Sequence, residues 1–122
     1  MILGQVNDRR QAIVTLTVEG PNGSQAAVPF ELDTGFTSAL MLPESLVSVL
    51  NLTQIEEQEM RLADGTLVRV SVYFAHVFWD GTIRRTRVIA SGRQPLLGMS
   101  LALGHHISID MVDGGQVALT LL

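Results

Sequence analysis

Short apolar runs of period two, broken again and again by glycine-bearing turns, constrain this chain to a β-sheet architecture. Ala12, Val14, Leu16 and Val18 alternate with Ile13, Thr15 and Thr17, so the two sets face opposite sides of one strand. That run stops at Glu19-Gly20-Pro21-Asn22-Gly23, whose Gly, Pro and Asn supply the dihedrals of a hairpin turn, and a second strand is expected over Gln25–Leu32. Three further hairpins read the same way. Residues 60–63 lead to a two-residue turn at Asp64-Gly65 and return over 66–74; residues 75–79 turn at Asp80-Gly81 into 83–90; residues 107–111 turn at Asp113-Gly114-Gly115 into 116–122.

One segment, 43–51, reads as a helix. Pro43 suits a first helical position, Glu44 the first turn, Leu46, Val49 and Leu50 share a face, and Asn51 is an end signal. A shorter helical turn is expected after Gly98, and Glu56, Glu57 and Glu59 read as a solvated loop face. The fold class expected is therefore all-β with one short helix.

Composition narrows the function classes. With 122 residues, 47% of them hydrophobic, and no linker or composition shift, 1–122 is expected to be a single domain around one core. A formal charge of −4 and a pI near 5.2 give no basic footprint for nucleic acid. The absence of cysteine excludes disulfides, thiolate metal ligands and a cysteine nucleophile. No segment approaches the ~18 apolar residues of a membrane span, and Met1-Ile2-Leu3 is too short for a signal peptide's apolar region, so a soluble cytoplasmic protein is expected. His105-His106 suggests a metal, but neighbours on a strand face opposite ways and no third ligand stands near, so no metal or cofactor is expected.

Val28, Phe30 and Leu32 alternate along a strand that runs directly into Asp33-Thr34-Gly35. A carboxylate at the end of an apolar strand must be hydrogen-bonded, paired or protonated, and Gly35 leaves room for backbone N–H groups to reach it. Such surroundings tune a pKa toward catalysis. Taken alone, Asp, Thr and Gly are turn residues, and the tripeptide by itself favours a turn.

The wider constellation reverses that preference. The segment from Phe30-Glu31-Leu32-Asp33-Thr34-Gly35 through Phe36-Thr37 is followed by Leu42-Pro43, Leu62-Ala63-Asp64-Gly65, Pro95-Leu96-Leu97-Gly98-Met99 and Ile107-Ser108-Ile109-Asp110. In that order these resemble the single-domain, retropepsin-like aspartic proteases, most closely their prokaryotic branch, over roughly residues 10 to 121. The resemblance implies a closed β-barrel or sandwich forming half of an aspartic-protease bilobe, and an endopeptidase acting on peptide or protein substrates without a cofactor. It implies that Asp33 is the catalytic carboxylate, that the Thr34 hydroxyl braces the paired loops across a dimer axis, and that Gly35 lines the substrate backbone. Leu96, Leu97 and Gly98 match the segment through which the Asp loop threads, and Ala63, Asp64, Gly65 and Thr66 match the tip of a flap over the bound peptide. Phe36 either lines a substrate subsite or packs under the helix. The chain departs from retroviral members at Phe36-Thr37 and Met99, where those carry an acid and an arginine that pair near the dimer interface.

The chemistry needs two carboxylates about 3 Å apart sharing a proton. This chain has one Asp-Thr-Gly, so a homodimer that sets two copies of Asp33 side by side is expected. An internal repeat also shows: each half runs strand, glycine hairpin, strand and then a glycine, ending at Gly35 in the first half and at Leu97-Gly98 in the second, where no acid stands. The apolar ends, Met1-Ile2-Leu3 and 117–122, either pair between subunits or are ordinary core strands. The alternative to an enzyme is a catalytically silent retropepsin-like module that binds peptides or dimerises.

Overall fold

In the computed structural model, which describes residues 1–122, the elements in chain order are β1 (Ile2–Val6), β2 (Ala12–Glu19), β3 (Gln25–Leu32), β4 (Leu40–Leu42), α1 (Glu44–Val49), β5 (Thr53–Arg61), β6 (Leu67–Trp79), β7 (Thr82–Ala90), β8 (Leu96–Leu97), α2 (Met99–Ala102), β9 (His105–Ile109) and β10 (Gln116–Leu121). The all-β expectation holds, α1 being the one short helix expected and α2 the shorter helical turn expected after Gly98. Strands β6, β7, β4, β8, β3 and β2 form a ring, closed where Val18 and Glu19 of β2 pair with Val77 and His76 of β6. Strand β5 extends the sheet from β6, and β1, β10 and β9 extend it from β2. No helix is long and apolar enough to cross a membrane.

Alternation places the core. Val14, Leu16 and Val18 of β2 turn inward against Val28 and Phe30 of β3, Leu40 and Leu42 of β4, Val88 of β7 and Leu97 of β8. Phe30, Leu40, Leu42 and Leu97 are wholly buried, each worth about 1.5–3 kcal/mol over an exposed position. Strand β4 is buried on both faces. Leu40 and Leu42 join the main core, while Met41 joins a second cluster with Val70, Val72 and Ile89, against which Phe36, Met60, Val68 and Leu96 pack.

Several local expectations change. Glu56, Glu57 and Glu59 lie on β5, an edge strand rather than a loop; exposed along almost its whole length, β5 has no apolar alternation to reveal it. It is held by its ladder to β6 and by ion pairs of Glu56 with Arg87 and of Glu57 with Arg69. The two strands expected over 66–74 and 75–79 are one, β6, because Tyr73, Ala75, Val77 and Trp79 keep a single face on the core with no breaker between them. The turn at Asp80-Gly81 is the two-residue type expected, with both residues at positive φ (48° and 83°). Arg85 lies 3.8 Å over the Phe74 ring, and Arg87 also donates to Gln58 at 3.0 Å. His105 sits edge-on to the buried Trp79, while His106 is exposed.

The internal repeat is present in the topology, in a different register from the one expected. Strand β3 pairs in parallel with β8, and β7 in parallel with β4, while β2–β6 and β4–β8 are antiparallel. Exchanging β2, β3, β4 and α1 for β6, β7, β8 and α2 leaves every one of these pairings unchanged. On this pattern Leu97-Gly98 corresponds to Leu42-Pro43, each leading into a helix, and not to Gly35. The counterpart of the Asp33 loop is Ser91-Gly92-Arg93-Gln94-Pro95, which also carries no acid. The ends of the chain pair with each other: β1 lies between β2 and β10, with Ile2 opposite Leu119 and Gln5 opposite Gln116.

Candidate active site

The loop between β3 and β4 is built by its backbone. Glu31 and Leu32 pair in parallel with Leu96 and Leu97, and the ladder ends with the Asp33 amide donating to the Leu97 carbonyl at 3.0 Å. The chain then turns, the Phe36 amide donating to the Asp33 carbonyl at 3.1 Å. On its way to β4 it crosses β8 again: the Gly98 amide donates to Ala39 at 2.8 Å, the Met99 amide to Phe36 at 2.8 Å and the Ser100 amide to Ser38 at 3.2 Å. Residues 33–39 are thus stitched along their length to 97–100. Gly98 permits this crossing, because a Cβ there would overlap the Ser38 carbonyl oxygen and the Phe36 ring.

Asp33 sits half-buried where the strand ends. Its Oδ1 accepts the Gly35 amide at 2.9 Å, and Oδ2 has no hydrogen-bond partner within the chain. Thr34 and Gly35 are exposed beside it. The carboxylate is held at a fixed backbone position with one oxygen open to a water or to a second chain.

Phe36 leaves this loop toward the second cluster, where Met41, Val70, Val72 and Ile89 are its company. It packs beneath β5 and β6, not under α1, whose Leu46, Val47 and Leu50 belong to the main core. Met60, Val68 and Val70, in the rungs of the β5–β6 hairpin next to its turn, share this cluster, so one apolar patch joins the turn end of the hairpin to the Asp33 loop.

The hairpin tip, Ala63-Asp64-Gly65-Thr66, is exposed throughout. It is a three-residue loop rather than the two-residue turn expected: the Leu62 amide donates to Thr66 at 2.8 Å, the Gly65 amide to Leu62 at 2.9 Å, and Gly65 takes the left-handed φ of 87° that such a loop demands. Asp64 accepts the Thr66 amide at 2.9 Å, and this backbone hydrogen bond, helped by the Thr66 side chain, holds its carboxyl below the ordinary 3.8.

Leu97 and Gly98 therefore lie against Asp33, Phe36 joins the loop to the rungs of the hairpin next to its turn, and residues 63–66 lie just beyond those rungs in solvent. Sequence reasoning missed Ser38 and Ala39, which act through carbonyl oxygens alone, and Met41, Val70 and Ile89, whose role is to fill space between elements far apart in the chain. None of the four main concavities of the single chain includes Asp33; the two of greatest volume lie along β1–β3 and between Leu62, Val68 and Val70 of the hairpin and Ala90-Ser91-Gly92.

No protein-family model matches this chain, and no curated protein does. Among solved structures, one described as a retropepsin-like aspartic protease from Rickettsia conorii superposes with a TM-score of 0.55, covering 99% of this chain and 91% of the other at 15% sequence identity. At that identity the likeness concerns the fold, and the fold of this chain is retropepsin-like.

Proposed function

We propose that this chain, acting over 1–122 as one domain, is an aspartic endopeptidase whose active form is a homodimer with Asp33 of each copy at a shared site. The single observation that carries the reading is the Asp33 loop: a carboxylate fixed by 33–39 crossing 97–100, with one oxygen unpartnered and no second acid in the equivalent loop of the same chain.

The chemistry follows from pairing two such groups. Two carboxylates about 3 Å apart cannot both ionise, so the pair holds one proton between them. The ionised member takes a proton from a water between them as that water attacks the scissile carbonyl carbon; the protonated member donates to the carbonyl oxygen. The tetrahedral intermediate collapses as a proton passes to the leaving amine and the C–N bond breaks. Thr34 braces one loop against the other, Gly35 and Phe36 border the substrate, and the exposed tip 63–66 closes over an extended peptide held by backbone hydrogen bonds.

The test is cleavage of a diverse peptide mixture, read by mass spectrometry between about pH 3.5 and 7.5, because protonation of a shared-proton pair limits activity on both the acid and the alkaline side. Cleavage by the parent and none by Asp33→Asn supports the reading. A folded, dimeric parent that cleaves nothing assigns the chain instead to peptide binding or dimerisation.

A further inference from the structure

The sheet forks at Ala75. Strand β6 has β5 beside it as far as Phe74, opposite Thr53, and β2 beside it from His76, opposite Glu19. Where the two partners part, a cleft of about 420 Å³ opens, a size that takes a small molecule or the end of a peptide. Ile55, which has no partner in the β5–β6 ladder and is 37% exposed, lines it from the β5 side, and Pro21 from the β2 side. No residue of 33–39 or 97–100 borders it, so it is separate from the Asp33 loop.

The charged groups of the cleft stand in one row. Glu19, His76 and Arg85 are directly opposite one another across β2, β6 and β7, on the face away from the buried Val18 and Val77. Arg69 and Arg87, on the same two strands β6 and β7, are each paired with a glutamate of β5. Arg85 pairs with no carboxylate; its guanidinium lies 3.8 Å over the Phe74 ring instead. An arginine seated on an aromatic ring has lost much of its freedom before a ligand arrives. At the other end of the row the Glu19 carboxylate is already engaged, accepting from Gln25 at 2.6 Å.

These features select a ligand. The planar fork of one guanidinium matches a carboxylate, whereas a phosphate dianion would meet Glu19 with a single arginine to offset it. Ile55 and Pro21 gain from contact only if the anion is carried on an apolar group. We propose that this cleft binds a carboxylate borne on an apolar group, the carboxylate on Arg85 with His76 beside it and the apolar part between Ile55 and Pro21. A free organic acid and the C-terminal end of a peptide share that chemistry.

The test is a titration of the Asp33→Asn chain, in which added peptides survive, followed by amide NMR. The probes are phenylacetate, an acetylated dipeptide ending in phenylalanine with a free carboxylate, and the amide of each. At least one acid should bind saturably at millimolar concentration and shift the amides of residues 53–55 and 74–76, while its amide does not. The tighter acid identifies the source, a free organic acid or a peptide end. Arg85→Gln, at an exposed position, should weaken that acid roughly tenfold or more, as loss of a charge-assisted contact does, and Arg85→Lys, which keeps the charge without the fork, by less. Ile55→Glu, which sets a carboxylate on the apolar wall, should abolish binding. Inorganic phosphate should not displace the acid. The proposal is overturned if neither acid binds, if acid and amide bind alike, if phosphate competes, if Arg85→Gln binds like its parent, or if the shifts gather at 33–39.

Discussion

Asp33 and Asp64 make the same local hydrogen bond, each carboxylate accepting the amide two residues on at 2.9 Å, and each is followed by a glycine within two residues. Their surroundings divide them. The Asp33 loop is tied to 97–100 by four backbone hydrogen bonds of 2.8–3.2 Å and anchored by Phe36 in an apolar cluster. The Asp64 loop ends in solvent, and the hydrogen bonds that shape it come from within 61–66. An Asp-turn is common local chemistry. What sets a candidate catalytic carboxylate apart is the long-range stitching that fixes its position, and what suits a flap is its lack.

Substitutions can sharpen or break this contrast. The largest effect is expected from Asp33→Asn, which should lower peptide cleavage by roughly 1,000-fold or more, as removal of a reacting group does. Its melting temperature should scarcely move, because an asparagine Oδ1 still accepts the Gly35 amide; parental cleavage by this variant would remove Asp33 from the mechanism. Next comes Gly98→Ala, which forces a methyl into the Ser38 carbonyl and should cost about 3 kcal/mol in denaturant unfolding. Phe36→Ala, at a half-buried position, should cost about 2 kcal/mol and loosen the turn end of the β5–β6 hairpin as well as the Asp33 loop, read by hydrogen exchange at both. Loosening at the loop alone would show that the shared cluster does not couple them. Gly65→Ala, strained by the positive φ but with open space around it, should cost about 1 kcal/mol.

The smallest effect is a pH dependence at the tip. Folding lowers the Asp64 pKa through the Thr66 amide, so this hydrogen bond is fully present above the ordinary 3.8 and is lost as pH falls through the lower folded value. The Thr66 amide resonance should therefore titrate with a midpoint below 3.8. A midpoint at or above that value would mean the tip is not held as described.

Much of the fold was legible because alternation is a local signal: β2 and β3 each keep one face inward, and Gly23, Gly81 and Gly114 mark hairpin turns. Strand β5 was not, because an exposed edge strand carries no apolar period. Nor was β4 recognisable as a strand: three consecutive buried residues alternate with nothing, and only the two clusters on its opposite faces explain them. At the site, Asp33, Leu97 and Gly98 could be picked out by residue type. The true symmetry partner of the Asp33 loop could not, since Ser91–Pro95 shares no residue pattern with it and only the parallel pairings of β3 with β8 and β4 with β7 reveal the match. Of the two placements the sequence allowed Phe36, packing under the helix gives way to the cluster beneath the hairpin, which only contacts between elements far apart in the chain reveal.

The central claim is that two chains each supply one Asp33 to one site, and mixing tests it most directly. Parent and Asp33→Asn chains are combined at fixed total concentration, allowed to exchange subunits, and assayed on a single peptide. If a site needs Asp33 from both copies, activity falls as the square of the parental fraction, to about a quarter in an equal mixture. A linear fall, to about a half, would mean that each chain cleaves with its own residues and would contradict the shared site.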